Sequence, residues 1–64
     1  MIVNGKEQPC EAGLTVAQLL ARLGHDPQRV AVERNGAIVP RARFAEETLA
    51  DADSIEIVQF VGGG

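Results

Sequence analysis

Apolar residues recur at Val16, Leu19, Leu20 and Leu23, the i, i+3, i+4, i+7 spacing that lines one face of a helix. Thr15 precedes the stripe as an N-cap, and Gln18 completes a Thr-x-x-Gln capping box. Leu14, before the cap, is placed to staple against Leu19. Gly24 follows the last apolar residue and suits the left-handed position that ends a helix, and Pro27 bars resumption. The stripe is expected to face a core, because no second helix is present to close a domain.

Elsewhere the period is two. Met1–Val3 and Lys6–Cys10 flank Asn4-Gly5, and Val30–Arg34 and Ala37–Val39 flank Asn35-Gly36. Asn-Gly is a strong hairpin signal because both central residues of a type I′ turn need positive φ. Pro9 lacks an N–H and points to an edge position for the second strand, while Pro40 ends the fourth. Residues 41–53 are polar around Phe44 and Leu49, which predicts a packed crossing loop with a helical turn. Ser54–Val61 reads as the last strand. Residues 1–61 thus form one domain, and 62–64 a flexible glycine tail. Strands split by a single helix predict an α+β fold with the helix on one face of a sheet.

One helix covers only one face of such a sheet. In the last strand Ile55 and Ile57 point one way, and Glu56, Val58 and Phe60 the other. If the isoleucines face the helix, Val58 and Phe60 face water and mark a partner site. The alternative places Phe60 over a sheet edge, simply covered.

Size and charge narrow the function. With 64 residues, 45% of them hydrophobic, the chain is globular but too small for a deep catalytic cleft. Trp and Tyr are absent and Phe occurs twice, so aliphatic residues must build the core. Six basic against nine acidic residues give a net charge of −3 and a pI near 4.9. Arg22, Arg29, Arg34, Arg41 and Arg43 are interleaved with acids rather than gathered into a phosphate-binding patch, which argues against nucleic acid. The acidity suits a basic partner surface, or merely solubility. A single cysteine excludes an internal disulfide and favours a reducing cytosol. No signal peptide and no membrane-length apolar run is visible.

Catalytic motifs are missing. No Gly-x-x-x-x-Gly-Lys-Ser/Thr loop occurs. One His and one Cys cannot assemble a zinc site of three or four such ligands. His25 fits a structural role beside a helix C-terminus. Cys10 reads as a small, partly buried apolar residue, with a persulfide-carrying thiol as the alternative. Glu46, Glu47, Asp51 and Asp53 lack a basic partner nearby in sequence and are expected in a solvated loop.

The final three residues, Gly62-Gly63-Gly64, remain. Glycine fills no space and maximises chain entropy, so packing does not explain it there. Without Cβ atoms the chain can thread a narrow channel, and three residues reach roughly 10 Å. A frayed end or a cloning scar is the plainer alternative.

Several segments together resemble the ubiquitin-like β-grasp sulfur carriers of thiamine biosynthesis. They are Ile2-Val3-Asn4-Gly5-Lys6, Leu14-Thr15-Val16 ahead of Leu19-Leu20, and Val30-Ala31-Val32-Glu33-Arg34-Asn35-Gly36. Ile38-Val39-Pro40-Arg41, Ile55-Glu56-Ile57-Val58 and the closing Gly63-Gly64 continue the likeness over essentially the whole chain. It implies a ubiquitin-like β-grasp with a mixed four- to five-stranded sheet and one helix. It also implies a carrier, not an enzyme. Its Gly64 carboxylate would be adenylated by an E1-like adenylyltransferase (ThiF type) that itself holds ATP and Mg²⁺. A sulfur donor such as a cysteine desulfurase would convert the adenylate to a thiocarboxylate, and a thiazole synthase (ThiG type) would take the sulfur. Val58, Phe60, Val61, Gly62 and Gly63 would form the partner-binding patch and tail. No cofactor, metal, membrane or nucleic acid is called for on the carrier itself. One departure is Asp51-Ala52-Asp53, where the family commonly has Asp-Gly-Asp; a positive φ at Ala52 would strain that turn. Other readings are the small subunit of molybdopterin synthase, a ubiquitin-like protein modifier, and an interaction module with an inert tail.

Overall fold

The computed structural model describes residues 1–60. Its strands are β1 (Ile2–Val3), β2 (Lys6–Glu7), β3 (Val30–Arg34), β4 (Ala37–Val39) and β5 (Ser54–Gln59), with one helix, α1 (Val16–Leu23). Single 3₁₀ turns occur at Pro27–Arg29 and Arg41–Arg43. The sheet order is β2-β1-β5-β3-β4. β1 runs parallel to β5, and every other pair is antiparallel. The mixed five-stranded sheet with one helix is the β-grasp arrangement that the sequence implied.

Both hairpins turn as expected. Asn4 and Gly5 have φ of 49° and 82°, Asn35 and Gly36 φ of 53° and 85°. β2 is shorter than the expected Lys6–Cys10. The Gln8 N–H still donates to the Met1 carbonyl at 2.9 Å, and Pro9 then ends the ladder on an edge strand. Ala52 does not adopt positive φ, so the strain that such a conformation would bring does not arise. The Asp53 N–H donates to the Ala50 carbonyl at 3.0 Å, and the Asp53 carboxylate accepts from the Ala50 N–H at 2.8 Å. These two bonds close the turn without a glycine.

The start of α1 shows why the crossing segment 41–53 packs so closely. A helix leaves its first four N–H groups without internal partners. The Val16 and Ala17 N–H groups donate to the Glu47 and Phe44 carbonyls at 3.0 and 2.9 Å. The Gln18 N–H donates to Thr15 Oγ1 at 3.2 Å, and Gln18 Oε1 accepts from the Thr15 N–H, completing the capping box. At the other end Gly24 (φ 78°) and His25 donate to the Ala21 and Leu20 carbonyls, a Schellman closure.

Val16, Leu19 and Leu20 are fully buried under α1 against Val30, Val32 and Ile55. Phe44 and Leu49 are buried too, so the crossing segment covers the rest of the core. Leu23 is only half-buried at its margin. Among the described residues no helix is long and apolar enough to cross a membrane.

Candidate functional site

The sheet has a covered face and an open one. Val3, Val30, Val32, Val39, Ile55 and Ile57 are buried on the helix side. The alternate positions face away from the helix, and among them are the large apolar residues that remain exposed: Ile38 (64%), Val58 (56%) and Phe60 (52%). Register joins them, since Ala31 lies opposite Val58, and Glu33 opposite both Ile38 and Glu56. Ala31, Ile38 and Phe60 border a depression of about 190 Å³ that the core residues Val30, Val32, Val39 and Phe44 also line, so it opens at the edge between the two faces rather than on the open face alone. The structure therefore places Val58 and Phe60 where strand parity predicted and adds Ile38. That residue was legible in the same way: a buried Val39 turns its neighbour Ile38 outward.

The open face is held in place by its own turns. Asn4 Nδ2 donates to the Ile57 carbonyl at 3.1 Å, and Asn4 Oδ1 accepts from the Ile57 N–H at 2.7 Å. Asn35 Oδ1 accepts from the Ser54 N–H at 2.9 Å, and the Asn35 N–H donates to the Ser54 carbonyl at 2.7 Å. Each Asn-Gly turn thus grips the backbone of β5 from one side. Beyond β5, the Phe60 N–H donates to the Arg29 carbonyl at 2.8 Å, so the aromatic residue stays tied to the head of β3. The Arg41 guanidinium donates to the Pro27 and Val30 carbonyls at 2.8 and 3.3 Å and straps the same end.

Beneath the Asn35 turn lies a polar node that corrects the expected solvated loop. Asp53 is 7% exposed. Its carboxylate accepts from Arg34 Nε at 2.8 Å, Asn35 Nδ2 at 2.9 Å and the Ala50 N–H at 2.8 Å. Arg34 also donates to the Glu47 carboxylate at 2.9 Å. Burial pushes the Asp53 carboxyl upward, but the donors from Asn35, Ala50 and Arg34 outweigh it and hold it below its ordinary value. Glu47 and Asp53 therefore do have a basic partner, Arg34, which sequence distance concealed. Glu46 and Asp51 are exposed, as expected.

Other candidate groups stand apart from this face. Cys10 is half-buried in the loop after β2 and packs against the core. His25 serves the helix end through its backbone N–H. Among the described residues no three His, Cys, Asp or Glu side chains are grouped to hold a metal ion. Val61, the expected end of the last strand, and Gly62, Gly63 and Gly64, the expected tail, lie outside the described residues.

A mixed five-stranded sheet with one helix on one face defines the class of small ubiquitin-like β-grasp domains. A family model described as the ThiS family matches residues 1–64. A crystal structure of the thiamine biosynthesis protein ThiS from Geobacter metallireducens superposes with a TM-score of 0.81 at 36% identity, covering 98% of this chain and 96% of that one. The sulfur carrier protein ThiS of Bacillus subtilis is 43% identical over 63 residues, 97% of this chain and 96% of that protein. A thiazole synthase of Paramagnetospirillum magneticum is 47% identical over 64 residues, all of this chain but 20% of that protein. The chain spans about a fifth of the length of the two thiazole synthases it matches. The chain belongs to the ThiS family.

Proposed function

We propose that this chain is a sulfur carrier for thiazole formation in thiamine biosynthesis, acting as a co-substrate rather than a catalyst. The observation that carries the reading is an apolar face on β5 leading into the glycine end, in a chain whose full length matches the ThiS family. The relatives named as ThiS sulfur carriers and as thiazole synthases support both the role and the recipient.

A carboxylate resists acyl transfer because its charge is delocalised and oxide is a poor leaving group. In the proposed cycle a Gly64 carboxylate oxygen attacks the α-phosphorus of ATP held with Mg²⁺ by an E1-like adenylyltransferase, and pyrophosphate leaves. The outer sulfur of a persulfide on a donor such as a cysteine desulfurase displaces AMP to give an acyl disulfide. A second thiol then attacks the donor-side sulfur, releasing the thiocarboxylate and forming a disulfide with the donor thiol. Thiazole synthase then takes the sulfur. Val58 and Phe60, with Val61, dock the carrier, while Gly62 and Gly63 offer no Cβ to obstruct a narrow active-site channel. A reducing cytosol suits such a sulfur group.

Reconstitution with the adenylyltransferase, ATP, Mg²⁺, a sulfur source, thiazole synthase and the synthase's carbon and nitrogen co-substrates tests this. Thiazole should form only when the chain is present. Sulfur delivered to the large subunit of molybdopterin synthase but not to thiazole synthase would overturn the assignment, as would a ladder of lysine conjugates.

A further inference from the structure

Five of the nine acidic residues find a cation within the chain. Glu11 pairs with Arg22, Asp26 with Arg29, Glu47 and Asp53 with Arg34, and Asp51 with the N-terminus. Glu33 and Glu56 have no ion-pair partner among the described residues. They face one another directly across β3 and β5, on the open face. Two residues along the same strands, Ala31 and Val58 form the next open-face pair, and Ile38 flanks Glu33 on β4. Like charges directly opposite in an antiparallel pair destabilise a sheet. Folding alone gives no reason for this arrangement, and nearby cations do not relieve it. Lys6 and Arg34 take the helix-side parity, opposite Val3 and Ile55, and Arg41 is engaged with carbonyls at the Phe60 end.

We infer that Glu33 and Glu56 are the charged half of the docking face. They select a partner protein whose apolar socket, filled by Ile38, Val58 and Phe60, is bordered by arginine or lysine. The inference rests on the docking role proposed above for Val58 and Phe60. A second copy of the chain does not fit, because two acidic faces on a protein of net charge −3 would repel. A polyanion is excluded by the same sign. A guanidinium fork bridging the two carboxylates would cancel their repulsion and add charge-assisted hydrogen bonds. Charges beside an apolar contact act mainly on encounter rate and on discrimination between partners.

The test uses the intact chain, its Glu33→Gln, Glu56→Gln and doubly substituted variants, and Phe60→Ser. Each is measured for urea unfolding and for association with the purified E1-like adenylyltransferase. The double glutamine variant should fold more favourably, its unfolding constant falling about 1.5- to 5-fold as cross-strand repulsion is removed. It should also associate about 10-fold more slowly at about 0.05 M salt, the deficit shrinking toward about 0.5 M as the charges are screened. Replacing both with lysine should slow association further. If the glutamine variants bind like the parent while Phe60→Ser binds weakly, the docking reading stands and the role of the glutamates is wrong. If Phe60→Ser also binds like the parent, the docking reading fails and this inference with it.

Discussion

Asp53 ties three parts of the chain together: the β3 guanidinium of Arg34, the Asn35 turn and the Ala50 N–H at the head of β5. Removing the carboxylate leaves these donors without their acceptor. Hydrogen bonds to a charged group contribute about 1.5–3 kcal/mol, so Asp53→Ala should lower unfolding stability by about 2–3 kcal/mol. The pH dependence has a definite sign. The folded-state carboxyl lies below its ordinary value, near 3.9 in an unfolded chain. Its contribution is therefore present above that value and is lost as pH falls through the folded one. Urea titrations at neutral pH and near pH 3 should show the gap between wild type and Asp53→Ala closing in acid; a gap that widens there would contradict the assignment. Sequence reading placed Asp53 in a solvated loop because its partner Arg34 is 19 residues away and no local pattern links them. Phe60 was legible from strand parity alone. It is 52% exposed, so Phe60→Ser should change stability by less than about 1 kcal/mol while weakening adenylyltransferase binding.

The helix was the most legible element, because its signals lie within a few residues of one another. Periodicity, the Thr15–Gln18 box and Gly24 each act locally, and α1 begins and ends where they place it. Leu20 is fully buried, and Leu20→Ala should cost about 2–5 kcal/mol in chemical denaturation. An unchanged denaturation midpoint would place the wrong helix face against the sheet. Thr15→Ala should cost about 1 kcal/mol, seen in the same experiment. Both Asn-Gly hairpins were equally plain, because their φ requirements admit few residues. Strand lengths were not. Lys6–Cys10 alternates well enough to read as a strand, yet β2 ends at Glu7, because an edge strand is held from one side only and Pro9 offers no donor. The crossing segment was legible only through its anchors, Phe44 and Leu49. Its carbonyls on the Val16 and Ala17 N–H groups are long-range bonds that no local motif announces.

Taken whole, the chain divides its labour between two faces. One side of the sheet, with α1 and the crossing segment, holds the aliphatic core. The other presents Ile38, Val58 and Phe60 with the Glu33–Glu56 pair, on strands of which β5 is the last before the glycines in sequence. Cys10 belongs to the core side, packed against the cluster in the loop after β2. Its replacement by serine should therefore leave sulfur transfer intact, with at most a small packing penalty. In the proposed cycle an added residue after Gly64 should be far more damaging, since it would replace the carboxylate proposed to react with an amide and move the terminal one; small misplacements of a reacting group can cost about 100-fold in rate. The most direct measurement is peptide-resolved mass spectrometry after incubation with the E1-like adenylyltransferase, ATP, Mg²⁺ and a sulfur source. A single oxygen-to-sulfur exchange on the Gly64 peptide, dependent on ATP, is the predicted result. Sulfur on the Cys10 peptide with the Gly64 carboxylate unchanged would contradict it.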